Sequence, residues 1–255
     1  MQLQYDFSLM KPYSISTGWY WFVLGAVISY LMGCFNFAVL ISKFKHDDIR
    51  SEGSGNPGAM NISRKYGLKV GLLNFFCDGL KGGIPVLCGY YIFKDFYFDG
   101  TAYVAVADFA RYLFGLFALI GHVFPVTMKF KGGKGISTAI GLLWVSIGCE
   151  VWWFAFICLA LFILLFVYVG FTEWGSMGSL MGVAAFTVWQ AIIFTVRYRG
   201  IMLNVYVILI FMILLAINLL TWGAHHKNLY HLMAGEEHHT SLKKMLKKKN
   251  KKREK

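Results

Sequence analysis

Seven long apolar segments with few charged residues are the feature that most restricts how this chain can fold. They lie at about 18–42, 70–93, 102–121, 135–149, 151–170, 175–196 and 201–222. A helix needs about 20 apolar residues to cross a bilayer, so 135–149 is short for a full crossing. The chain is 57% hydrophobic and 15% charged, which leaves too little polar surface for a soluble enzyme. The predicted fold class is an all-α integral membrane protein, a bundle of seven transmembrane helices.

Basic residues divide unequally between the two sides of this predicted bundle. The segments 43–69, 122–134 and 227–255 contain six, three and ten Lys or Arg residues, whereas the alternate connections contain four in all. The positive-inside rule therefore predicts a multi-pass protein of the cell membrane with its N-terminus outside and its C-terminus in the cytoplasm. Arg197 and Arg199 stand against this orientation, because they fall in a connection on the outer side.

The composition divides the chain into one transmembrane domain, residues 1–238, and a basic tail, residues 239–255. Eight Lys or Arg residues lie within 244–255, a run that cannot bury apolar surface, so we expect the tail to be mobile and cytoplasmic. Attraction to the anionic headgroups of membrane lipids and simple solvation both remain open for it. We expect no nucleic acid as a partner, because no aromatic residues alternate with the lysines.

Two pairs of opposite charges lie inside apolar segments at a spacing of three residues. They are Asp78 with Lys81 and Asp108 with Arg111. An isolated charge near the bilayer centre costs about 3 kcal/mol or more, and this spacing places both partners on one helix face. We expect each pair to neutralise itself, either as a purely structural pair or with one member facing a polar cavity.

Two glycine-rich, cationic segments lie in connections on the predicted cytoplasmic side. The first reads GSGNPGAMNISRKYG at 53–67, and the second reads GHVFPVTMKFKGGKGIST at 121–138. Glycines allow backbone N–H groups to converge on an anion, and a following helix N-terminus adds its dipole. Arg64 offers a fixed fork for phosphate oxygens and Lys134 a point charge. The two segments together predict a phosphate-binding site, although Gly135 after Lys134 excludes a Walker nucleotide loop.

A third polar segment, HHKNLYHLMAGEE at 225–237, follows the last apolar stretch. His225 and Asn228 share a helical face at a spacing of three. The segment is rich in histidine, but no H-E-x-x-H spacing occurs, and the five cysteines lie in apolar stretches without a spacing typical of zinc ligands. We therefore expect no metal site.

The three polar segments together resemble the integral-membrane glycerol-3-phosphate acyltransferases that use acyl phosphate as donor, the PlsY type. The family pattern reads approximately GSGNxGAxNxxR, GHxFPxxxxFKGGKG and HRxNIxRLLxGxE. This chain has GSGNPGAMNISR, GHVFPVTMKFKGGKG and HHKNLYHLMAGEE in the same order, and its D-x-x-K-G at 78–82 matches a further element. The resemblance covers the whole chain except the lysine-rich tail.

The resemblance implies transfer of a fatty acyl group from acyl phosphate to the 1-hydroxyl of sn-glycerol 3-phosphate. The products would be lysophosphatidic acid and inorganic phosphate, in phospholipid biosynthesis, at a site that faces the cytoplasm. Acyl phosphate is already an activated anhydride, so we expect no cofactor and no covalent nucleophile. The proton acceptor stays open between a phosphate oxygen of the donor, which we favour, and His225.

The resemblance also assigns site residues by motif position. The expected catalytic residues are Ser54, Arg64, Lys134, His225 and Asn228. The residues expected to bind or surround substrate phosphate are Gly53, Gly55, Asn56, Gly58, Asn61, His122, Lys131, Gly132, Gly133, Gly135, Thr138 and Glu237.

The chain departs from the family pattern at several positions. His226 and His231 stand where arginine is usual, and Met60 stands where threonine is common. The first span has GCFN at 33–36 in place of GSIP. Glu173 replaces a serine that would contribute to the substrate site, and an unpaired carboxylate there would repel phosphate.

Three other functions would explain part of the sequence, but each one fits it less well. An acyltransferase that uses acyl-CoA or acyl carrier protein would carry H-x-x-x-x-D, and none of the seven histidines has an aspartate five residues later. A transporter or anion channel would need access from both faces, whereas the cationic segments lie on one. A non-catalytic protein that binds anionic lipid would leave the glycine-rich segments without a role.

Overall fold

The computed structural model describes residues 5–100 and 103–234 of the chain. Its regular structure over these ranges is helical apart from one small parallel sheet, in which β1 (Lys11–Tyr13) pairs with β2 (Phe96–Phe98). The helices are α1 (Ile15–Gly33), α2 (Phe37–Phe44), α3 (Ala59–Tyr66), α4 (Leu68–Phe93), α5 (Val106–Val123), α6 (Ile136–Glu150), α7 (Phe154–Thr172), α8 (Gly175–Arg197), α9 (Val205–Ala224) and α10 (His226–Met233).

Within the described residues, six helical stretches are long and apolar enough to cross a membrane. They are Ile15–Phe44, Leu68–Phe93, Val106–Met128, Phe154–Thr172, Gly175–Arg197 and Val205–Ala224. α6 is apolar but has only 15 residues, which makes it about 22 Å long against a hydrocarbon core of ~30 Å. The predicted helical class is therefore confirmed, whereas the seventh crossing stays a prediction that depends on α6.

α6 lies inside the bundle, where it packs against α4, α5 and α8. Its backbone approaches α4 so closely that a Cβ added at Gly141 would lie 2.2 Å from the carbonyl oxygen of Gly79. Small residues allow such close contact between helices in a membrane, where apolar side chains gain little by leaving lipid. The packing fixes the N-terminus of α6 beside α4 and α5.

The predicted first span is interrupted at residues 34–36. α1 ends at Gly33 and α2 begins at Phe37. Asn36 caps α2, because its side-chain oxygen accepts a hydrogen bond from the Val39 N–H at 3.0 Å. A polar side chain that caps a new helix competes with continuation of the old one. The first span, predicted at about 18–42, therefore consists of two helices separated by this interruption.

Four charged side chains form a buried cluster near the start of α5 and the ends of α6 and α8. Arg111 pairs with Asp108 at 2.8 Å and also with Glu150. Arg197 pairs with Asp108 at 2.6 Å and also with Glu150. The predicted Asp108–Arg111 pair is confirmed, within a larger network of two positive and two negative charges. The Arg197 side chain is only 4% exposed. It therefore does not belong to an exposed loop on the outer side, as the predicted orientation assumed.

Candidate active site

The two glycine-rich segments meet at one end of the bundle, opposite the charged cluster. A Cβ added at Gly133 would lie 3.2 Å from the carbonyl oxygen of Pro57 and 2.3 Å from His122 Nε2. The starts of α6 and α8 and the end of α9 reach the same end, because α4 to α9 alternate in direction. The fold thus brings together polar segments that are far apart in the sequence.

Asn61 supports the first glycine-rich segment from inside the protein. Its Nδ2 donates to the carbonyl oxygens of Ile49 and Glu52, at 3.1 and 2.8 Å, and the residue is 3% exposed. Gly53 and Gly55 have φ values of +56° and +68°, a left-handed conformation that glycine adopts without strain. The Asn61 amide group therefore binds the backbone that leads into this segment, and its nitrogen is not free to contact a ligand.

Ser54, Asn56 and Gly58, also predicted in the first segment, are less buried than Asn61. Ser54 is exposed, and its hydroxyl makes no hydrogen bond to another residue in the described ranges. Asn56 is partly buried. Gly58 is the N-cap of α3. These positions leave the Ser54 hydroxyl accessible to a ligand.

Arg64 and Lys65 are adjacent on α3 but differ in their partners. Lys65 forms ion pairs with Asp47 and, at 2.9 Å, with Glu52. Arg64 is partly buried and forms no ion pair with any residue in 5–100 or 103–234. Burial lowers the pKa of the Arg64 guanidinium from its ordinary value, yet the group remains protonated near neutral pH. Arg64 is therefore the cation of α3 that can accept an external anion.

Gly132 and Gly133 use their N–H groups inside the second glycine-rich segment. The Gly132 N–H donates to the Val123 carbonyl at 3.1 Å, and the Gly133 N–H donates to the His122 carbonyl at 3.2 Å. These two residues therefore do not supply the convergent backbone donors that the sequence predicted. The first N–H groups of α6, after its N-cap Gly135 at φ +80°, have no acceptor within the helix and point to the same end.

His122 and Thr138 lie near the two ends of the second glycine-rich segment, and His122 lies beneath its Gly133. Thr138 Oγ1 is 3.2 Å from His122 Nδ1, and both residues are buried. His122 Nδ1 also lies 3.9 Å from Asp78 Oδ1 in α4. These contacts connect the segment to the bundle interior. Lys131, by contrast, is exposed on the surface.

A chain of hydrogen bonds joins the second glycine-rich segment to α10 and α8. Lys134 Nζ donates to Asn228 Oδ1, and Asn228 Nδ2 donates to Ser176 Oγ at 2.7 Å. Lys134 and Asn228 were predicted site residues, and the fold brings them together. Ser176 was missed, because a serine at the start of an apolar helix carries no distinctive sequence signal. The resemblance places a serine three residues earlier, at the position of Glu173. Glu173 has a left-handed φ of +61° in the turn before α8.

His225 lies at the junction of α9 and α10, next to this chain. Its Nδ1 is 2.8 Å from the Thr221 carbonyl oxygen, which can only accept, so Nδ1 carries the proton and Nε2 is the acceptor. Burial, and secondly the charge of Lys134, lower the pKa of His225 to about 4. His225 is therefore neutral near pH 7 and presents a weakly basic Nε2.

An apolar groove of about 560 Å³ runs along the surface between α1 and α4, from the 34–36 interruption to about the middle of the two helices. Its walls include Ile28, Met32, Phe35, Leu80 and Ile84. Lys81 is the charged residue of its wall. The groove begins beside Asn36, whose Nδ2 donates to the Pro57 carbonyl of the first glycine-rich segment at 3.2 Å. A polar head at the candidate site could thus continue into an apolar tail.

Two predictions lie beyond these contacts. Glu237 and the basic tail fall outside the described residues. Within residues 5–100 and 103–234, no group of three or more His, Cys, Asp or Glu side chains is arranged to hold a metal ion.

Comparison with known proteins gives matches over most of the chain. A sequence profile described as "Glycerol-3-phosphate acyltransferase" matches residues 23–235. The glycerol-3-phosphate acyltransferase of Finegoldia magna is 36% identical over 219 residues, which are 86% of this chain and 95% of that protein. The enzyme of Aquifex aeolicus is 34% identical over 212 residues, 83% of this chain and 95% of that protein. The Mycoplasma pneumoniae enzyme is 40% identical over 162 residues, 62% of this chain and 64% of that protein.

Solved structures of an integral membrane glycerol 3-phosphate acyltransferase, PlsY, share this fold. The glycerol 3-phosphate form superimposes with a TM-score of 0.69 at 26% identity, covering 88% of this chain and 98% of that one. The lysophosphatidic acid form gives a TM-score of 0.65 at 26% identity, covering 86% and 94%. The matched profile spans most of the chain, and the Finegoldia magna and Aquifex aeolicus relatives, both more than 30% identical, are covered over 95% of their length. The chain therefore belongs to the glycerol-3-phosphate acyltransferase family of integral membrane proteins.

Proposed function

We propose that this protein transfers a fatty acyl group from acyl phosphate to the 1-hydroxyl of sn-glycerol 3-phosphate, giving lysophosphatidic acid and inorganic phosphate. One observation carries the proposal. An arginine without an ion-pair partner in the described residues, Arg64, stands at the end of the bundle that also holds Lys134 and opens into an apolar groove. Related PlsY structures are in a glycerol 3-phosphate form and a lysophosphatidic acid form.

The site suits a substrate pair that carries two phosphate groups. Arg64 offers a planar fork for phosphate oxygens, and Lys134 offers a charge that Asn228 holds in place. The exposed Ser54 hydroxyl and the α6 N-terminus add donors. The groove between α1 and α4 would take the acyl chain of the donor. Positioning and charge stabilisation are then the main contributions to the rate.

In the transfer step, the hydroxyl oxygen on carbon 1 attacks the carbonyl carbon of acyl phosphate. A new ester C–O bond forms, and the bond between the carbonyl carbon and the phosphate oxygen breaks. The hydroxyl proton ends on the departing phosphate. His225, with a pKa of about 4, is a weak base near pH 7, whereas the phosphate oxygens of the donor become more basic as the bond to the carbonyl carbon breaks. This difference favours the donor phosphate as proton acceptor, with His225 and Asn228 as positioning groups.

The proposed orientation has seven crossings, with the site facing the cytoplasm. The basic residues of 43–69 and 122–134 support it, as does the removal of Arg197 from the outer count. The basic tail would then lie against anionic headgroups of the inner leaflet. In single-cysteine versions of the protein, Lys94→Cys should react with an impermeant maleimide added to intact cells, and Lys129→Cys only after lysis. The reverse pattern would contradict the orientation.

The reaction is tested with purified protein, glycerol 3-phosphate and one of three palmitoyl donors. Palmitoyl phosphate should release inorganic phosphate and give 1-acyl lysophosphatidic acid, whereas palmitoyl-CoA and palmitoyl acyl carrier protein should give neither thiol nor product. The Arg64→Ala variant serves as a control for contaminating activity. Equal turnover with palmitoyl-CoA, or no phosphate release from palmitoyl phosphate, would overturn the proposal.

A further inference from the structure

The interruption between α1 and α2 is bonded to three different parts of the protein through three consecutive residues. The Cys34 carbonyl accepts from Thr127 Oγ1 at 3.1 Å, in the second glycine-rich segment. The Phe35 carbonyl accepts from Lys81 Nζ at 2.8 Å, in α4. Asn36 Nδ2 donates to the Pro57 carbonyl in the first glycine-rich segment at 3.2 Å. Residues 34–36 therefore fix the two segments relative to each other.

Lys81 is the member of this arrangement that comes from the bundle interior. It is 4% exposed, and its Nζ is 2.9 Å from Asp78 Oδ1, which confirms the pair predicted from the i,i+3 spacing. The carbonyl groups after the end of α1 have no helical N–H to bond. In a membrane such groups need another donor, and the Lys81 ammonium supplies one to Phe35.

Asp78 extends the same pair towards the second glycine-rich segment. Its Oδ2 accepts from Asn74 Nδ2 at 2.8 Å, and its Oδ1 lies 3.9 Å from His122 Nδ1. His122 in turn contacts Thr138 and lies directly beneath Gly133. The buried pair thus faces the interruption on one side and the base of the second segment on the other.

We propose that Lys81 is a positioning residue for acyl transfer. It holds the Phe35 carbonyl so that Asn36 and Cys34 keep the first and second glycine-rich segments, and with them Arg64 and Lys134, at a fixed separation. If Asp78 and Lys81 only neutralised each other, Lys81 would not need its hydrogen bond to the Phe35 carbonyl. This inference rests on the proposed function, because its readout is the transfer reaction.

The test removes the contact without leaving an unpaired buried charge. The double variant Asp78→Asn/Lys81→Met loses both charges and the donor to Phe35. We expect kcat/KM for glycerol 3-phosphate to fall about 10- to 100-fold, as for other small displacements of catalytic groups. In Asp78→Asn/Lys81→Gln, the Gln side chain keeps an uncharged N–H donor near the Phe35 carbonyl. This variant should regain a large part of the lost activity, which a purely electrostatic role would not allow.

A matched control comes from the other buried i,i+3 pair. Asp108→Asn/Arg111→Met removes the same charges at the opposite end of the bundle and leaves Glu150 paired with Arg197. It should lower the melting temperature while kcat/KM of the folded protein stays within about twofold, because these sites are remote from the glycine-rich segments.

A double-mutant cycle with Asn36 separates positioning from general stability. Asn36→Ser keeps a side-chain cap for α2 but loses the donor to Pro57. Its effect on kcat/KM should not add to that of Asp78→Asn/Lys81→Met, since both break one chain of contacts. It should multiply with that of Asp108→Asn/Arg111→Met, which leaves the chain of contacts intact.

Three outcomes would overturn the inference. They are wild-type kcat/KM in folded Asp78→Asn/Lys81→Met, no recovery in the Lys81→Gln version, or an effect of Asn36→Ser that multiplies with that of Asp78→Asn/Lys81→Met. If the Met variant does not fold, Asn36→Ser tests the same arrangement alone, and wild-type kcat/KM in that variant would overturn the inference. Failure of wild-type protein to transfer from acyl phosphate would instead count against the proposed function.

Discussion

Two neighbouring cations on α3 differ in the contacts that their side chains make. Asp47 and Glu52 both pair with Lys65, and Asp47 also accepts from the Tyr66 hydroxyl at 2.9 Å. Arg64, one position earlier, has no such partner in the described part of the chain. A partly buried guanidinium without a carboxylate gains most from an incoming phosphate. The sequence motif contains both cations, but only the contacts distinguish them.

Replacing Arg64 should therefore affect transfer far more than replacing Lys65. We expect Arg64→Ala to lower kcat/KM for glycerol 3-phosphate about 10²- to 10³-fold, the loss typical of a donor that stabilises charge in a reaction. Arg64→Lys should recover only part of this, because an ammonium cannot bond two phosphate oxygens at fixed geometry. Lys65→Ala is the matched control and should stay within about fivefold, since its charge is already paired at an exposed site. Equal losses in both variants would contradict the assignment.

The pH dependence of transfer should not reflect ionisation of His225. Burial lowers the pKa of this imidazole to about 4, so the side chain stays neutral from pH 5.5 upwards and gains a proton only in more acidic solution. The fall in kcat/KM below about pH 6 should come from protonation of the substrate phosphates. We expect His225→Gln to keep the shape of the wild-type profile between pH 5.5 and 8.5. An inflection near 6.5 that this variant abolishes would make His225 the base.

At the scale of elements, the second glycine-rich segment packs so closely against His122 that it has no room for side chains at Gly132 and Gly133. A Cβ at Gly132 would lie 2.0 Å from the His122 carbonyl oxygen, which belongs to the backbone and cannot move aside. The same segment leads directly into Lys134 and the N-terminus of α6. Glycine is therefore needed here so that the backbone can lie close to His122. The sequence had predicted a different role, in which the glycine N–H groups bind an anion.

Gly132→Ala should displace Lys134 and the start of α6. We expect kcat/KM to fall about 100-fold or more, as expected for a displacement of order 1 Å in the site. Gly223→Ala, at the end of α9, is the matched control, because a Cβ there meets nothing within 4 Å. That variant should retain activity within about twofold and gain slight helix stability. Full activity in Gly132→Ala, measured on monodisperse protein, would show that the segment adapts.

At the scale of the whole molecule, the buried charges are segregated by function. The cluster of Asp108, Arg111, Glu150 and Arg197 balances its own charge at one end of the bundle. Tyr198 and Tyr5 donate to Asp108 there, at 2.5 and 3.0 Å. The opposite end carries cations that are positioned to meet anions from outside. We therefore propose that the first end stabilises the bundle and that the second binds substrate.

Neutralising Glu150 should destabilise the bundle without changing the chemistry. Glu150→Gln leaves two buried arginines with one carboxylate, and breaking a buried pair costs about 3–5 kcal/mol. We expect a clear drop in the melting temperature in detergent, with kcat/KM of the folded fraction unchanged at low temperature. Asp48→Asn, which breaks an exposed pair with Arg50, is the control and should cost about 1 kcal/mol or less. A melting temperature equal to wild type would show that the cluster contributes no net stability.

Features set by local composition and spacing could be predicted from the sequence. The long apolar segments correspond to helices whose bounds differ from the prediction by a few residues, as for α4 and α8, because helix length in a membrane follows the apolar stretch. The pairs Asp78–Lys81 and Asp108–Arg111 form as expected, since three residues bring side chains to one helix face. The motifs likewise indicated the family, which the comparisons confirmed.

Tertiary structure alone decided which partners these residues find. The sequence did not predict that Asn228 would connect Lys134 to Ser176, that Arg197 would join a buried cluster, or that residues 34–36 would interrupt the first span. Lys134 and Asn228 are 94 residues apart, so their contact depends on how α6 packs within the bundle and where α9 ends. Local patterns specify each helix and each motif, whereas the packing between helices specifies which side chains meet.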